Sequence, residues 1–301
     1  MVADTNGRVV RGPRGLFTGW SPDGRQLAVT SGTASRASVV LWRCGRTSTV
    51  TPPNSNAGWA AFSPDGRHLA WLESARLRDT SGWIVVADSD GRHPRRLGGR
   101  APISPFVWSS DGRRLAYEHD EVLRVVDIAT GATRIVDDRN ARGPAWRPDG
   151  ALTWRDSELG IALLPPGATT SRSLVPPSSR RIPFGLDWSP DGQRLAYAEN
   201  DERSDTTRVV TVDADGSGRS VRSDPGPGGT DAVPRWSPDG SHLAFLRIVG
   251  YEDELPLLRL MTASAEGAGG AQPVPGAPVA TVGFDEDGGY DWRPPGACRM
   301  Q

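Results

Sequence analysis

Read for polarity, the chain alternates short apolar stretches of four to six residues with brief polar breaks rich in Gly, Pro, Asp and Ser. Runs such as Val39-Val40-Leu41-Trp42, Ile84-Val85-Val86-Ala87 and Val209-Val210-Thr211-Val212 have the length and β-branched character of strands. The pattern therefore predicts many short strands and an all-β fold.

One break recurs in register. It reads Trp20-Ser21-Pro22-Asp23-Gly24-Arg25-Gln26-Leu27-Ala28, and it returns at Phe62, Trp108, Trp146, Trp188 and Trp236, with a degenerate copy at Trp292. These aromatics stand 42, 46, 38, 42, 48 and 56 residues apart. Pro presets the first turn position, Asp suits the second, and Gly takes the left-handed position that closes a short β-loop. A strand ends at the aromatic and another begins at Leu-Ala, so both residues can fill the space between neighbouring sheets. A second strand pair follows each copy, as where Trp83 to Ala87 leads through Asp88-Ser89-Asp90-Gly91 to Arg96-Leu97. Four strands per unit are the content of a propeller blade.

The Trp-Ser-Pro-Asp-Gly-Arg-x-Leu-Ala core, followed by an apolar strand, a DxDG turn and Arg-x-Leu, resembles the TolB-like, WD40-like (PD40) β-propeller repeat, over residues 1 to 296. The resemblance implies one all-β domain spanning residues 1–301, a β-propeller of four-stranded antiparallel blades. Val2-Ala3-Asp4-Thr5-Asn6-Gly7-Arg8 matches Val86 to Arg92 in register, so the chain starts late inside a blade. With a first strand at Trp292 it would make a composite blade, for seven in all; six blades with frayed ends are the alternative.

Composition then narrows the function. The 35 basic residues, all arginine, balance 36 acidic ones, which gives no global attraction to nucleic acid or anionic lipid. The absence of lysine matches the codon bias of a GC-rich bacterial genome. Cys44 and Cys298 lack metal-ligand spacing and leave pairing open. No apolar run approaches the roughly 20 residues of a membrane span, and residues 1–14 lack a signal peptide's apolar stretch. The expectation is a soluble monomer, cytoplasmic as written, or exported or periplasmic if the natural start lies upstream.

Nucleophile elbows, H-E-x-x-H, Walker A and Rossmann patterns are missing. His68 and His242 share one repeat position and read as surface strand residues, and His93 lies in a turn. Arg92 to Arg100, Arg113-Arg114 and Arg180-Arg181 form basic patches that the register scatters over outer hairpins, so nucleic acid is not an expected partner. Asp88-x-Asp90-Gly91 and Asp213-x-Asp215-Gly216 are fragments of a calcium loop without its remaining ligands. Turn geometry explains them, so no cofactor is expected, with Ca2+ as the minor alternative.

Because the recurring turn joins strands one and two, the loop between strands two and three opens at the opposite end. That end collects Glu73, Glu118, His119, Asp120, Arg155, Asp156, Glu199, Asp201, Arg247 and Tyr251, and inter-blade segments add Asp187, Arg235, Tyr290 and Asp291. One reading is a funnel for a cationic group, a divalent ion or a basic peptide; the other is solvated acidic loops. Two functions follow. The first is a non-catalytic recognition or scaffold propeller that binds a protein, peptide or small ligand. The second is a small-molecule lyase, cyclase or hydrolase using His119, Asp187 and Asp291 in one pocket.

Overall fold

The recurring turn is more tightly built than its Pro, Asp and Gly alone suggest. In the first copy the Ser21 and Gln26 backbones pair across it, with the Ser21 N–H donating to the Gln26 carbonyl at 2.8 Å, and the Gly24 N–H donates back to the Ser21 carbonyl. The Ser21 hydroxyl donates to the Asp23 carboxylate at 2.6 Å and accepts from the Gln26 N–H at 2.9 Å. Ser63, Ser109, Ser189 and Ser237 repeat the bond to their Asp partners. The glycines of all six copies are left-handed, with φ between 66° and 89°. In the fourth copy Arg147 replaces the serine, and the loop closes from Arg147 to Ala151, one residue shorter than the Ser21–Gln26 closure.

The computed structural model describes residues 2–3, 9–10, 16–33, 36–43, 46–52, 56–74, 81–102, 106–158, 160–253, 255–267, 270–275 and 280–281. Every regular element among them is a β-strand. A two-stranded piece pairs β1 (Val2–Ala3) with β2 (Val9–Val10). The first four-stranded sheet holds β3 (Leu16–Trp20), β4 (Leu27–Thr33), β5 (Arg36–Arg43) and β6 (Arg46–Thr49). The second holds β7 (Asn56–Phe62), β8 (His68–Ser74), β9 (Ser81–Asp88) and β10 (Arg95–Pro102). The third holds β11 (Phe106–Trp108), β12 (Arg114–His119), β13 (Val122–Asp127) and β14 (Thr133–Asp137). The fourth holds β15 (Arg142–Trp146), β16 (Leu152–Asp156), β17 (Gly160–Leu164) and β18 (Arg172–Val175). The fifth holds β19 (Arg181–Trp188), β20 (Arg194–Asp201), β21 (Thr206–Asp213) and β22 (Ser220–Val221). In the sixth, β23 (Asp231–Trp236), β24 (His242–Glu252) and β25 (Leu255–Ser264) are followed by two short strands on one edge, β26 (Gln272–Pro273) and β27 (Ala280–Thr281).

Within each sheet the strands lie in sequence order and run antiparallel. These are propeller blades, and six are observed. The strand at Trp292 that would contribute to a seventh lies outside the described residues. Its expected N-terminal counterpart is seen in part: Val2 pairs with Val10 much as Val86 pairs with Arg95.

The blades fall into two compact units, sheets one to three and sheets four to six. In each unit the core lies between neighbouring sheets. Trp108 of sheet three packs with Leu72, Ile84 and Leu97 of sheet two. Trp188 of sheet five packs with Ile161, Leu163 and Leu174 of sheet four, and Trp236 of sheet six with Ala196 and Val209 of sheet five. The motif leucines Leu69, Leu115, Leu195 and Leu243 are wholly buried, each contributing about 1.5–3 kcal/mol. Hydrogen bonds fix the spacing. The Trp108 indole N–H donates to the Ala61 carbonyl and that of Trp236 to the Asp187 carbonyl, both at 3.1 Å. Trp188 reaches the equivalent Ala145 carbonyl through the Thr153 hydroxyl, at 3.0 Å and 3.0 Å.

A bulge recurs on the first strand, three residues before the aromatic. Trp59, Gly143, Gly185 and Val233 take left-handed φ of 54°, 57°, 63° and 56° there, beside register shifts in β7, β15, β19 and β23. Gly216, in the DxDG turn of sheet five, has φ +91°, and a Cβ there would lie 2.0 Å from the Leu174 carbonyl oxygen of sheet four. That glycine serves inter-blade contact as well as the turn.

Candidate functional site

Counting from the motif leucine organises the candidates. The fourth residue after it is Glu73, His119, Asp156, Glu199 and Arg247 in blades two to six. Alternation puts that position on the leucine's own face, at the end of strand two away from the recurring turn. Each of these side chains has a local partner. Glu73 accepts from Arg96 at 2.7 Å, and the Arg96 guanidinium lies 4.0 Å from the Trp83 ring centre. Asp156 is buried and accepts the Glu158 N–H at 2.7 Å. His119 Nδ1 lies 3.2 Å from the Asp120 carboxylate. Arg247 forks onto the fully buried Asp231 at 2.6 and 2.7 Å.

The Glu118-His119-Asp120-Glu121 segment is a tight hairpin. Asp120 and Glu121 have φ of 48° and 63°, His119 pairs with Val122, and Arg124 fastens the turn by donating to the His119 carbonyl at 3.0 Å. Arg155 stands opposite Arg142, beside Phe184. The Asp187 carboxylate accepts the Trp236 N–H at 2.7 Å and so ties blade five to blade six. Arg235 donates to the Pro234 carbonyl at 3.1 Å. Tyr251 is exposed near the tip of the β24–β25 hairpin. His119 belongs to the first unit and Asp187 to the second; Tyr290, Asp291, Cys44 and Cys298 lie outside the described residues. His68, expected at the surface, is half-buried and stacks on Trp108 of the next blade, with ring centres 6.3 Å apart. Both DxDG loops are engaged as turns: Asp88 is 2.7 Å from His93, Asp90 binds Arg92, and Asp215 binds Ser217.

Two candidates meet in one cavity on blade five. Glu199 and Asp201 line it with Arg181, Arg208, Arg219 and Asp224, around a volume of about 350 Å³. Glu199 is paired with Arg219, and Asp201 holds Arg180 in a fork at 2.9 and 3.1 Å. Beneath them the fully buried Tyr197 marks the change from apolar to charged face. Burial first, and next the Glu199 carboxylate, push its phenol up to about 12. The loop carrying Asp224 is held by Arg247, which donates to the Asp224 carbonyl at 3.1 Å, and by the Gly228 N–H on the Thr206 hydroxyl.

Sequence reading did not single out Arg208, Arg219 or Asp224, and met Arg181 only as half of a basic pair. Strand register held part of the signal, since Arg208 is the cross-strand partner of Glu199 and Arg181 that of Asp201. Among the described residues no group of three or more His, Cys, Asp or Glu gathers as a metal site, and no helix is long and apolar enough to cross a membrane.

No family model matches the chain. An uncharacterized protein of Agrobacterium fabrum is 27% identical over 77% of this chain and 84% of its own length. The Tol-Pal system protein TolB of Anaeromyxobacter dehalogenans is 32% identical over 60% of this chain, which spans 46% of that relative. Among solved structures, the oligogalacturonate lyase of Vibrio parahaemolyticus superposes with a TM-score of 0.67 at 14% identity, over 91% of this chain and 81% of that one. At that identity the likeness is one of fold. The repeated blade and the sequence similarity to TolB agree, and both point to a TolB-like β-propeller fold.

Proposed function

We propose that this protein is a non-catalytic recognition and scaffold module, binding a protein, peptide or small ligand at the strand-two ends of its blades. The observation that carries this reading is the pairing of the candidate charges. Glu73, Glu199 and Arg247 are each locked to an opposite charge on their own blade. Fixed, mutually neutralised groups make a rigid patterned surface. They are poorly placed to exchange protons during turnover, which needs a group poised near the working pH. Kinship with a Tol-Pal system protein supports a role within a protein assembly.

The test is direct binding of the whole chain to peptides graded from basic to acidic. Saturable binding that Glu73→Arg weakens, with the unfolding transition retained, is the expected result. Turnover of a small-molecule substrate that disappears in His119→Ala or Asp187→Asn would instead establish the enzyme reading.

A further inference from the structure

Three arginines and three carboxylates line the cavity on blade five, and they are unevenly paired. On one face of β20, Leu195 and Tyr197 are buried, and the same face continues outward as Glu199 and Asp201. The two carboxylates are already neutralised, Glu199 by Arg219 and Asp201 by Arg180. Arg181 and Arg208 are not so matched. The nearest carboxylate of Arg181 is Glu199 at 4.0 Å, and that of Arg208 is Asp224 at 3.9 Å. Both distances exceed hydrogen-bonding range. Two guanidinium forks with unused donors therefore border one cavity, and an anionic oxygen group is their natural complement.

The walls narrow the choice of anion. Glu199 and Asp224 line the same cavity. Hydrogen phosphate would bring two negative charges and its one P–OH to them on a single compact centre, whereas a carboxylate that also carries a hydroxyl or amino group sets its donor apart from its anionic oxygens and can donate to them while the arginines hold the charge. A volume of about 350 Å³ is at the small end for organic ligands. The Asp224 wall is fixed before any ligand arrives, through Arg247 and the buried Asp231. We propose that this cavity binds a small hydroxy- or amino-carboxylate, its carboxylate held between Arg181 and Arg208 and its donor groups turned to Glu199 or Asp224. The inference rests on the recognition reading and names one ligand class for one blade.

Calorimetry on the full chain at low ionic strength, with malate, succinate and inorganic phosphate as probes, tests it. Malate and succinate differ by one hydroxyl. Saturable malate binding is expected, tighter than that of succinate or phosphate, and weakened about tenfold in Arg181→Gln and in Arg208→Gln. Arg208→Lys should recover part of the loss, and Arg134→Gln, on the exposed edge of blade three, should change nothing. Thermal unfolding of each variant shows whether the fold is kept. Phosphate or succinate binding as tightly as malate overturns the assignment, as does malate binding indifferent to both glutamine variants. Absence of malate binding with peptide binding intact overturns this inference alone; loss of both removes the recognition reading as well.

Discussion

Blades two and five carry the same frame and finish it differently. Leu69, Trp71 and Glu73 on β8 hold the register positions of Leu195, Tyr197 and Glu199 on β20. Both start from a buried leucine, pass a buried aromatic and end on a glutamate paired with an arginine. The cross-strand partner of that glutamate differs. In blade two it is Trp83, which lies against Arg96 and covers the ion pair. In blade five it is Arg208, which lines a cavity. One residue on strand three thus separates a sealed blade end from an open one. Scaffold and site are set by different positions of a single repeat.

The largest expected effect tests the sameness of the frame. Trp71→Ala and Tyr197→Ala should each cost about 3–5 kcal/mol in denaturant unfolding, since both side chains are almost wholly buried. A negligible loss at either site would mean that the two blades do not share one packing role. Next comes the wall peculiar to blade five. Asp231→Asn leaves Arg247 facing a neutral partner, and removal of one member of a buried pair costs about 3 kcal/mol; faster amide exchange across Asp224–Thr230 should accompany it. Unchanged exchange there would show that the ion pair does not hold the wall.

Exchanging the distinguishing residues has a smaller effect on stability. Trp83→Arg removes the ring beneath Arg96, for a loss of about 1 kcal/mol, while Arg208→Trp should close the cavity and abolish malate binding at similar stability. Malate binding retained in Arg208→Trp would break the comparison at its centre.

The smallest effect is on alkaline pH dependence. The Tyr197 phenol, at about 12 in the folded chain against an ordinary 10.0, holds its proton more tightly when folded. The stability it contributes is complete below pH 10 and is lost as pH rises through about 12. With no lysine among the 35 basic residues, few other groups titrate in that window. Tyr197→Phe should flatten the decline, and an unchanged slope would place its cause elsewhere.

Legibility tracked distance along the chain. The hairpins were readable because Pro, Asp and Gly act within four residues, and the inter-sheet role of Trp108, Trp188 and Trp236 followed from their period. The serine of the turn escaped notice, although its hydroxyl braces both the Asp carboxylate and the closing N–H. Glu199 and Asp201 were found because they follow the motif at constant spacing. Arg208, Arg219 and Asp224 were not, because they lie on other strands and in a variable loop. Asp187 is adjacent to a motif tryptophan in sequence, yet its carboxylate serves the backbone of the following blade. Adjacency to the motif does not distinguish these uses.

What the sequence determined by itself is the blade: strand lengths, turn chemistry, and the apolar residues that recur every forty or so positions. Those properties arise from local dihedral preferences and from period-two burial, both written in consecutive residues. Only the tertiary structure decided which charges are neutralised and which are left over. That depends on side chains brought together across strands, such as Arg219 with Glu199 and Arg247 with Asp231. An arginine's role is set by the distance to its nearest carboxylate, and no spacing along the chain encodes that distance.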